Sequence, residues 1–260
     1  MNEEKFILLM NEILKKLPKK GIALAFSGGI DSSFLAKLMK DAGIKFKSYV
    51  VGFKGCYDFE SAEKSAKKIG IKLEKIKLND KKLEKALKEE ANILRTLSRK
   101  NKEPITMISV SFNLPLFFVA KIAGERNIIV GQGPDEMLGG YSRHLALTEK
   151  EAEKEMKEDT RKLFSSGILQ QKAMASYFKK KALMPYLDNK VVDFCMSLPY
   201  NEKISNKKRK LILRNAGMRV DLGKEISFKE KKAAQYGSGI MSAINRIARQ
   251  KKIHMWKLIS

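Results

Sequence analysis

Cysteine and histidine are nearly missing from this chain: Cys56, Cys195, His144 and His254 are all it has in 260 residues. With no C-x-x-C spacing there is no zinc site, iron–sulfur site or disulfide framework to be read. Neither cysteine has a histidine near it in sequence to make it a nucleophile, so both are expected as small buried apolar residues. Long apolar runs are missing too. None approaches the ~20 residues that cross a bilayer, and the stretch from Phe6 to Met10 follows Glu3 and Glu4, the wrong flank for a signal peptide. These absences lead us to expect a cytoplasmic protein without membrane contact, and 43% hydrophobic residues are enough to bury a core unaided.

Acid is the scarce charge. Lys and Arg number 53 against 29 Asp and Glu, a net +24, and residues 201–260 carry half of that excess. Lys207-Lys208-Arg209-Lys210 and Lys229-Glu230-Lys231-Lys232 concentrate it. Such a surface attracts nucleic acid in a salt-dependent way. Yet only 10 of the basic residues are Arg, the side chain suited to specific phosphate or base contacts. A lysine-heavy chain with 5 Gln is also what adaptation to high temperature tends to produce. A solvated charged surface is therefore preferred to RNA binding.

What is present starts with Phe26-Ser27-Gly28-Gly29-Ile30-Asp31-Ser32-Ser33, set between an apolar run (Gly21 to Phe26) and a segment with helical spacing (Phe34, Leu35, Leu38, Met39). A strand, a glycine turn and a helix start bind phosphate well. Glycines let backbone N–H groups approach an anion, serine hydroxyls add donors, and the helix dipole favours negative charge. A carboxylate facing phosphates is repulsive unless a cation lies between them, so Asp31 implies a Mg²⁺ ligand. The plainer reading is a Ser/Gly turn with Asp31 and Ser32 capping a helix. The Walker sequence and the dinucleotide G-x-G-x-x-G are both absent.

A second loop has the same design. Ile128-Ile129-Val130 leads into Gly131-Gln132-Gly133-Pro134-Asp135-Glu136-Met137-Leu138-Gly139-Gly140-Tyr141. In a parallel α/β sheet both loops leave one edge, which would let Asp31 and Asp135 hold one Mg²⁺ from two sides. The first loop resembles the S-G-G-x-D-S pyrophosphate loop of ATP pyrophosphatases, which cleave ATP to AMP and pyrophosphate. The pair together resembles the synthetase domain of the asparagine synthetase family, whose second signature runs G-x-G-x-D-E-x-x-G-G-Y.

The resemblance covers about Gly21 to Ile240. It implies ATP and Mg²⁺ as cofactors, with Asp31 and Asp135 as metal ligands. It also implies that Ser27, Gly28, Gly29, Ser32, Ser33, Gly131 and Gly133 hold nucleotide and pyrophosphate. Ser48-Tyr49-Val50-Val51-Gly52-Phe53 resembles the family's second strand, whose backbone contacts adenine, which points to Val51. Met184-Pro185-Tyr186-Leu187-Asp188 resembles V-P-F-L-D. The run Lys231 to Gly239 resembles the late K-E-x-F-x-D-G-x-G loop, whose lysine meets the α-phosphate; counting back places Lys231 there, with Lys232 its neighbour.

Departures from the family pattern fall on the acceptor side. Gln132 stands where the asparagine synthetases have Glu, and a neutral amide orients a nucleophile without acting as its base. Lys181 and Leu183 replace the acid and arginine of E-x-R-x-P-F-L-D. The asparagine-forming step is therefore not carried over, while Gln132 stays a catalytic candidate beside Lys231 and Lys232. No glutaminase half is expected, because Met1-Asn2-Glu3-Glu4 opens an amphipathic helix, so a separate glutaminase or ammonia donor is the implied partner of a small-molecule substrate. The reading is an ATP-dependent ligase that adenylates an acceptor, preferably a carboxylate. The alternatives are an RNA-modifying relative that adenylates a base carbonyl, and a nucleotide-binding subunit of a larger assembly. The lack of catalytic cysteines counts against tRNA thiolation.

Periodicity predicts an α/β fold: a doubly wound, mostly parallel sheet with a helical carboxyl-terminal half packed over it. The expected organisation is one domain, with a helix in 1–20, a nucleotide-binding core in 21–145 and a mainly helical 146–260 that includes the lysine loop. Strands are expected at 21–26, 47–53, 71–78 and 128–130, and none after Tyr141. Helices are expected at 31–41, 59–69, 80–98, 107–125, 149–164, 167–182, 188–198 and 240–252. Asn101 to Pro104 reads as a polar connection, Glu151 to Arg161 as a solvated helix face, and the tail from Ile253 to Ile259 as docked on its own domain.

Overall fold

A computed structural model describes residues 1–101, 105–230 and 234–260, with only the backbone described for Lys100, Asn101 and Ala234. In chain order the elements are α1 (Asn2–Lys15), β1 (Ile22–Ala25), α2 (Ile30–Asp41), β2 (Phe46–Gly52), α3 (Tyr57–Ile69), β3 (Leu73–Lys77), α4 (Asp80–Asn101), α5 (Met107–Ile122), β4 (Asn127–Ile129) and α6 (Pro134–Met137). There follow α7 (Glu149–Lys162), α8 (Ile168–Tyr177), β5 (Lys181–Leu183), α9 (Asn189–Ser197), α10 (Tyr200–Lys203), β6 (Ile204–Ser205), β7 (Lys208–Arg209), α11 (Leu211–Arg219), α12 (Lys224–Ser227), α13 (Ala234–Gly237) and α14 (Ile240–Gln250).

The five-stranded sheet has the order β3-β2-β1-β4-β5, and every pairing in it is parallel. Strand side chains alternate between its faces. Ile22, Leu24, Val50 and Ile129 enter one apolar cluster with α1, α2, α3, α9 and α11; Ala23, Tyr49, Val51 and Ile128 enter another with α4, α5 and α14. Both faces of the sheet's centre are covered, which is why β1, β4 and the end of β2 read as apolar runs. Helix α1 presents Phe6, Met10, Ile13 and Leu14 at helical spacing, and Phe6 stacks on Phe34 at 5.7 Å and on Phe194 at 5.9 Å. Thr106 and Ser109 form a reciprocal capping box at the start of α5, and Gly70, at φ 71°, ends α3.

Two expectations fail. The segment after Tyr141 contains strands: β5 extends the main sheet, and β6 and β7 form an antiparallel hairpin. The first of these lies inside the helix expected over 167–182. That helix stops at Tyr177, and Lys179, at φ 56°, turns the chain back so that Lys181 pairs with Asn127 and Leu183 with Ile129. Lys-Ala-Leu has no strand propensity of its own; pairing with β4 decides its state. The helices expected at 149–164 and 167–182 also join, through a π turn at Leu163–Gly167. The polar connection at 102–104 lies outside the described residues. Leu258 and Ile259 are buried, so the tail docks on the fold.

Glu90 is an anomaly of the second cluster. It sits on α4 among Ala86, Leu87, Ala91 and Leu94, fully buried, and neither carboxylate oxygen has a hydrogen-bond partner among the described residues. Burial holds its carboxyl well above the usual carboxylate range. The folded state therefore keeps a proton that the unfolded chain has released, so stability falls as pH rises from the ordinary carboxylate value through the raised one. Glu90→Leu should raise stability at neutral pH by about 1–3 kcal/mol. It should also flatten that pH slope relative to wild type, as read by thermal melts from about pH 4 to pH 8.

Candidate nucleotide and metal site

Strand order places the site. Chain direction across the sheet reverses between β1 and β4, and in doubly wound sheets ligands bind at the carboxyl ends of the strands beside that reversal. The loop Phe26 to Gly29 leaves β1 there and the loop Val130 to Gly133 leaves β4. Gly29 caps α2 without a side-chain hydrogen bond, and the N–H groups of a helix's first turn point out of its amino end, where negative charge is favoured. A cavity between the loops is lined by Ser27, Asp31, Ser32, Val51, Val130, Gly131 and Gln132, with Phe112, Pro115 and Val119 of α5 on its apolar side. A second, smaller cavity adjoins it, lined by Ser27, Gly29, Tyr57, Asp58, Ser61, Lys229 and Glu230.

Of the residues selected from sequence, Ser27, Gly29, Asp31, Ser32, Val51, Gly131 and Gln132 line these cavities. Gly28 supports the loop from behind: at φ 72°, its α-carbon faces the backbone of α3, where a Cβ would stand 2.5 Å from the Ser61 carbonyl. Ser33 is fully buried and lines neither cavity. Gly133 caps α6 at φ 120° and turns the second loop toward Asp135. Lys231 and Lys232 lie outside the described residues. Lys181 is exposed at the amino end of β5, away from the cavity lining, and Leu183 packs into the first apolar cluster.

Asp31 and Asp135 converge on one cation, the ammonium of Lys210. Its Nζ lies 2.7 Å from Asp31 Oδ1, 2.8 Å from Asp31 Oδ2 and 2.7 Å from Asp135 Oδ1. Asp31 is 4% exposed and Lys210 3%. This corrects the reading of 207–210 as surface charge: Lys210 is interior, and nothing in a run of four basic residues distinguishes the one that turns inward. Tyr186, fully buried in the Pro185-Tyr186-Leu187 turn, donates to the Asp31 carbonyl at 2.9 Å, and Asp188 then caps α9.

Three further groups escaped the sequence reading. Arg214, buried on α11, donates to the carbonyls of Arg209, Ser227 and Lys229, tying the hairpin to the late segment. Lys229 Nζ donates to Ser61 Oγ at 2.8 Å, beside the first loop, and burial pulls its pKa down. Behind Gln132 lies Glu136, whose Oε1 accepts from Gln132 Nε2 at 2.8 Å and from the Tyr141 hydroxyl at 2.7 Å, while Gln132 Oε1 accepts from Gln171 at 3.2 Å. Burial, with Asp135 close by, raises the Glu136 pKa. Glu136 and Tyr141 stood in the quoted motif; Gln171, on α8, had no signal at all.

The donor set suits a divalent metal: two carboxylates, from the first turns of α2 and α6, already meet at one positive charge. The asparagine synthase family model matches residues 20–184 and 149–251. The chain belongs to the asparagine synthase family. Within that family it is 28% identical to the asparagine synthetase (glutamine-hydrolysing) of Gallus gallus, over 91% of this chain and 43% of that protein. It is equally 28% identical to the Homo sapiens enzyme, over 92% of this chain and 43% of the other. This family member thus spans less than half the length of these two relatives. Among solved structures, it is similar to an NMN synthetase from Francisella tularensis at 14% identity and TM-score 0.46, covering 99% of this chain and 82% of that one.

The rigidity of the first loop is testable through two glycines. Gly28 and Gly21 have nearly equal φ, 72° and 71°, but a Cβ on Gly21 meets nothing within 4 Å. Gly21→Ala should cost only the left-handed strain, ~1–2 kcal/mol. Gly28→Ala should cost clearly more in urea melts, because helix backbone cannot yield.

Proposed function

We propose that the chain is an ATP-dependent ligase that cleaves ATP to AMP and pyrophosphate to adenylate an acceptor, most simply a carboxylate, for attack by ammonia or an amine. The observation that carries this reading is the meeting of Asp31 and Asp135 on one cation inside a two-loop phosphate cradle. Asp31 and Asp135 would hold Mg²⁺, which supplies charge compensation for the pyrophosphate leaving group when bound.

The chain's own groups divide the remaining work. The first turn of α2 with Ser27, Gly29 and Ser32 takes the pyrophosphate end, while Val51, Val130, Phe112, Pro115 and Val119 offer an apolar slot to the base. Lys229 adds positive charge at the smaller cavity, and Lys231 or Lys232 would stabilise charge on the α-phosphate, as the family resemblance implies. An acceptor carboxylate oxygen attacks the α-phosphorus as its bond to pyrophosphate breaks. A nitrogen nucleophile then attacks the acyl carbon, AMP leaves, and the nitrogen gives up a proton. Gln132, clamped by Glu136 and Gln171, orients the reacting groups and takes no proton itself. Ammonia would come from solution or from a separate glutaminase.

Isotope exchange between pyrophosphate and ATP, screened over amino acids, other carboxylates and tRNA, tests this directly. Acceptor-dependent exchange with a carboxylate is expected, lost in Asp31→Asn and in Asp135→Asn. Exchange that survives either substitution would sink the shared-metal reading, and exchange driven by tRNA alone would move the acceptor to a base carbonyl. Asparagine formation from aspartate, ATP and ammonia should be weak or absent, since the family's glutamate is replaced by the neutral Gln132, which removes a candidate proton acceptor; rapid synthesis by the purified chain would refute this.

A further inference from the structure

We propose that Lys210 closes the cation site to free divalent metal, so that metal enters only together with the nucleotide, whose phosphates receive the displaced ammonium. The proposal rests on the reading of Asp31 and Asp135 as metal ligands. Its basis is competition for one space. The Lys210 ammonium touches oxygens of both carboxylates at 2.7–2.8 Å. Mg²⁺ needs the same oxygens at 2.0–2.1 Å. Two cations cannot share that gap, and with Lys210 and Asp31 buried their repulsion is screened only from the side of Asp135, whose side chain is 21% exposed.

The backbone around Lys210 is pinned, so only its stem can respond. Lys210 N–H donates to the Leu138 carbonyl at 3.1 Å, and its own carbonyl accepts from Arg214 N–H at 3.0 Å. The residue holds a left-handed conformation, φ 55°, at the start of α11. Its Cε packs on Gly140, where any Cβ would collide with both the lysine and Asp135. A lysine stem of four carbons can swing from this anchor, but an ammonium leaving two carboxylates for no partner would be a buried unpaired charge. Phosphate oxygens arriving in the adjoining cradle remove that penalty. Metal without nucleotide does not. The buried Arg214 guanidinium, which also feels Asp31 and Asp135, adds positive charge that opposes a lone metal ion. A purely structural ion triad would have the same geometry, so the two roles must be separated by metal binding rather than by stability.

Mn²⁺ binding followed by electron paramagnetic resonance separates them without any turnover. Wild-type protein should bind Mn²⁺ weakly alone and tightly with a non-hydrolysable ATP analogue, with Asp31→Asn marking the background. Lys210→Met should bind Mn²⁺ alone at least about tenfold more tightly than wild type, since the competing charge is gone. Lys210→Gln serves as a second variant, and the wild-type arms stand whether or not the variants fold. Equal nucleotide-free binding by wild type and folded variants would overturn the gate and leave a structural triad. Failure of wild type to bind Mn²⁺ even with the analogue would overturn the metal reading itself.

Discussion

Two carboxylates brought together in a protein interior repel each other unless a cation lies between them, and the arrangement around Asp31 and Asp135 follows from that requirement. Lys210 meets it from the end of the β6–β7 hairpin. To bring the lysine there, Asn206 and Lys207 both adopt positive φ, 48° and 57°, closing the hairpin tightly, and Lys210 itself is left-handed. Gly140 leaves room for the lysine stem, Tyr186 fixes the backbone of Asp31, and Arg214 holds hairpin and late segment together. The left-handed Lys207 and Lys210 and the buried ions are costly local choices, offset by the pairing around the shared charge.

The two halves of the site are built differently. The side at the carboxyl ends of β1 and β4 relies on backbone: strand ends, glycines and the first turn of α2, groups of the kind that recognise phosphate whatever is attached to it. The side behind Gln132 relies on side-chain amides and a raised carboxyl, the chain Gln171, Gln132, Glu136 and Tyr141. Such a network is directional, and changing one member alters what it can accept or donate. Gln132 is held in one orientation by pairing both ends of its amide.

The basic excess also divides once the fold is known. Lys203, Lys210 and Arg214 are interior, bonded to carbonyls or carboxylates. Lys229 faces the cradle, and the tight turn of the hairpin exposes Lys208. The interior cations are spent on architecture and on the site, so net charge overstates what is offered to a polyanion outside.

Both loops, their carboxylates and the parallel sheet were legible from sequence, because each depends on neighbours along the chain: an apolar run, glycines, then a helix start. The helices that carry the core were legible for the same reason, since periodicity of apolar residues needs no partner to be seen. Four decisions needed the tertiary structure. Strand β5 forms because β4 offers an edge to three residues without preference of their own. Ser33 is fully buried and lines neither cavity. Gln171 reaches Gln132 from 39 residues away. Lys210, one of four consecutive basic residues, meets Asp31 across 179 positions. Sequence by itself therefore determined which acids would need a cation, a matter of local chemistry. Which residue supplies that charge in the fold was decided by tertiary structure alone, because long-range electrostatic partners leave no periodic trace in the chain.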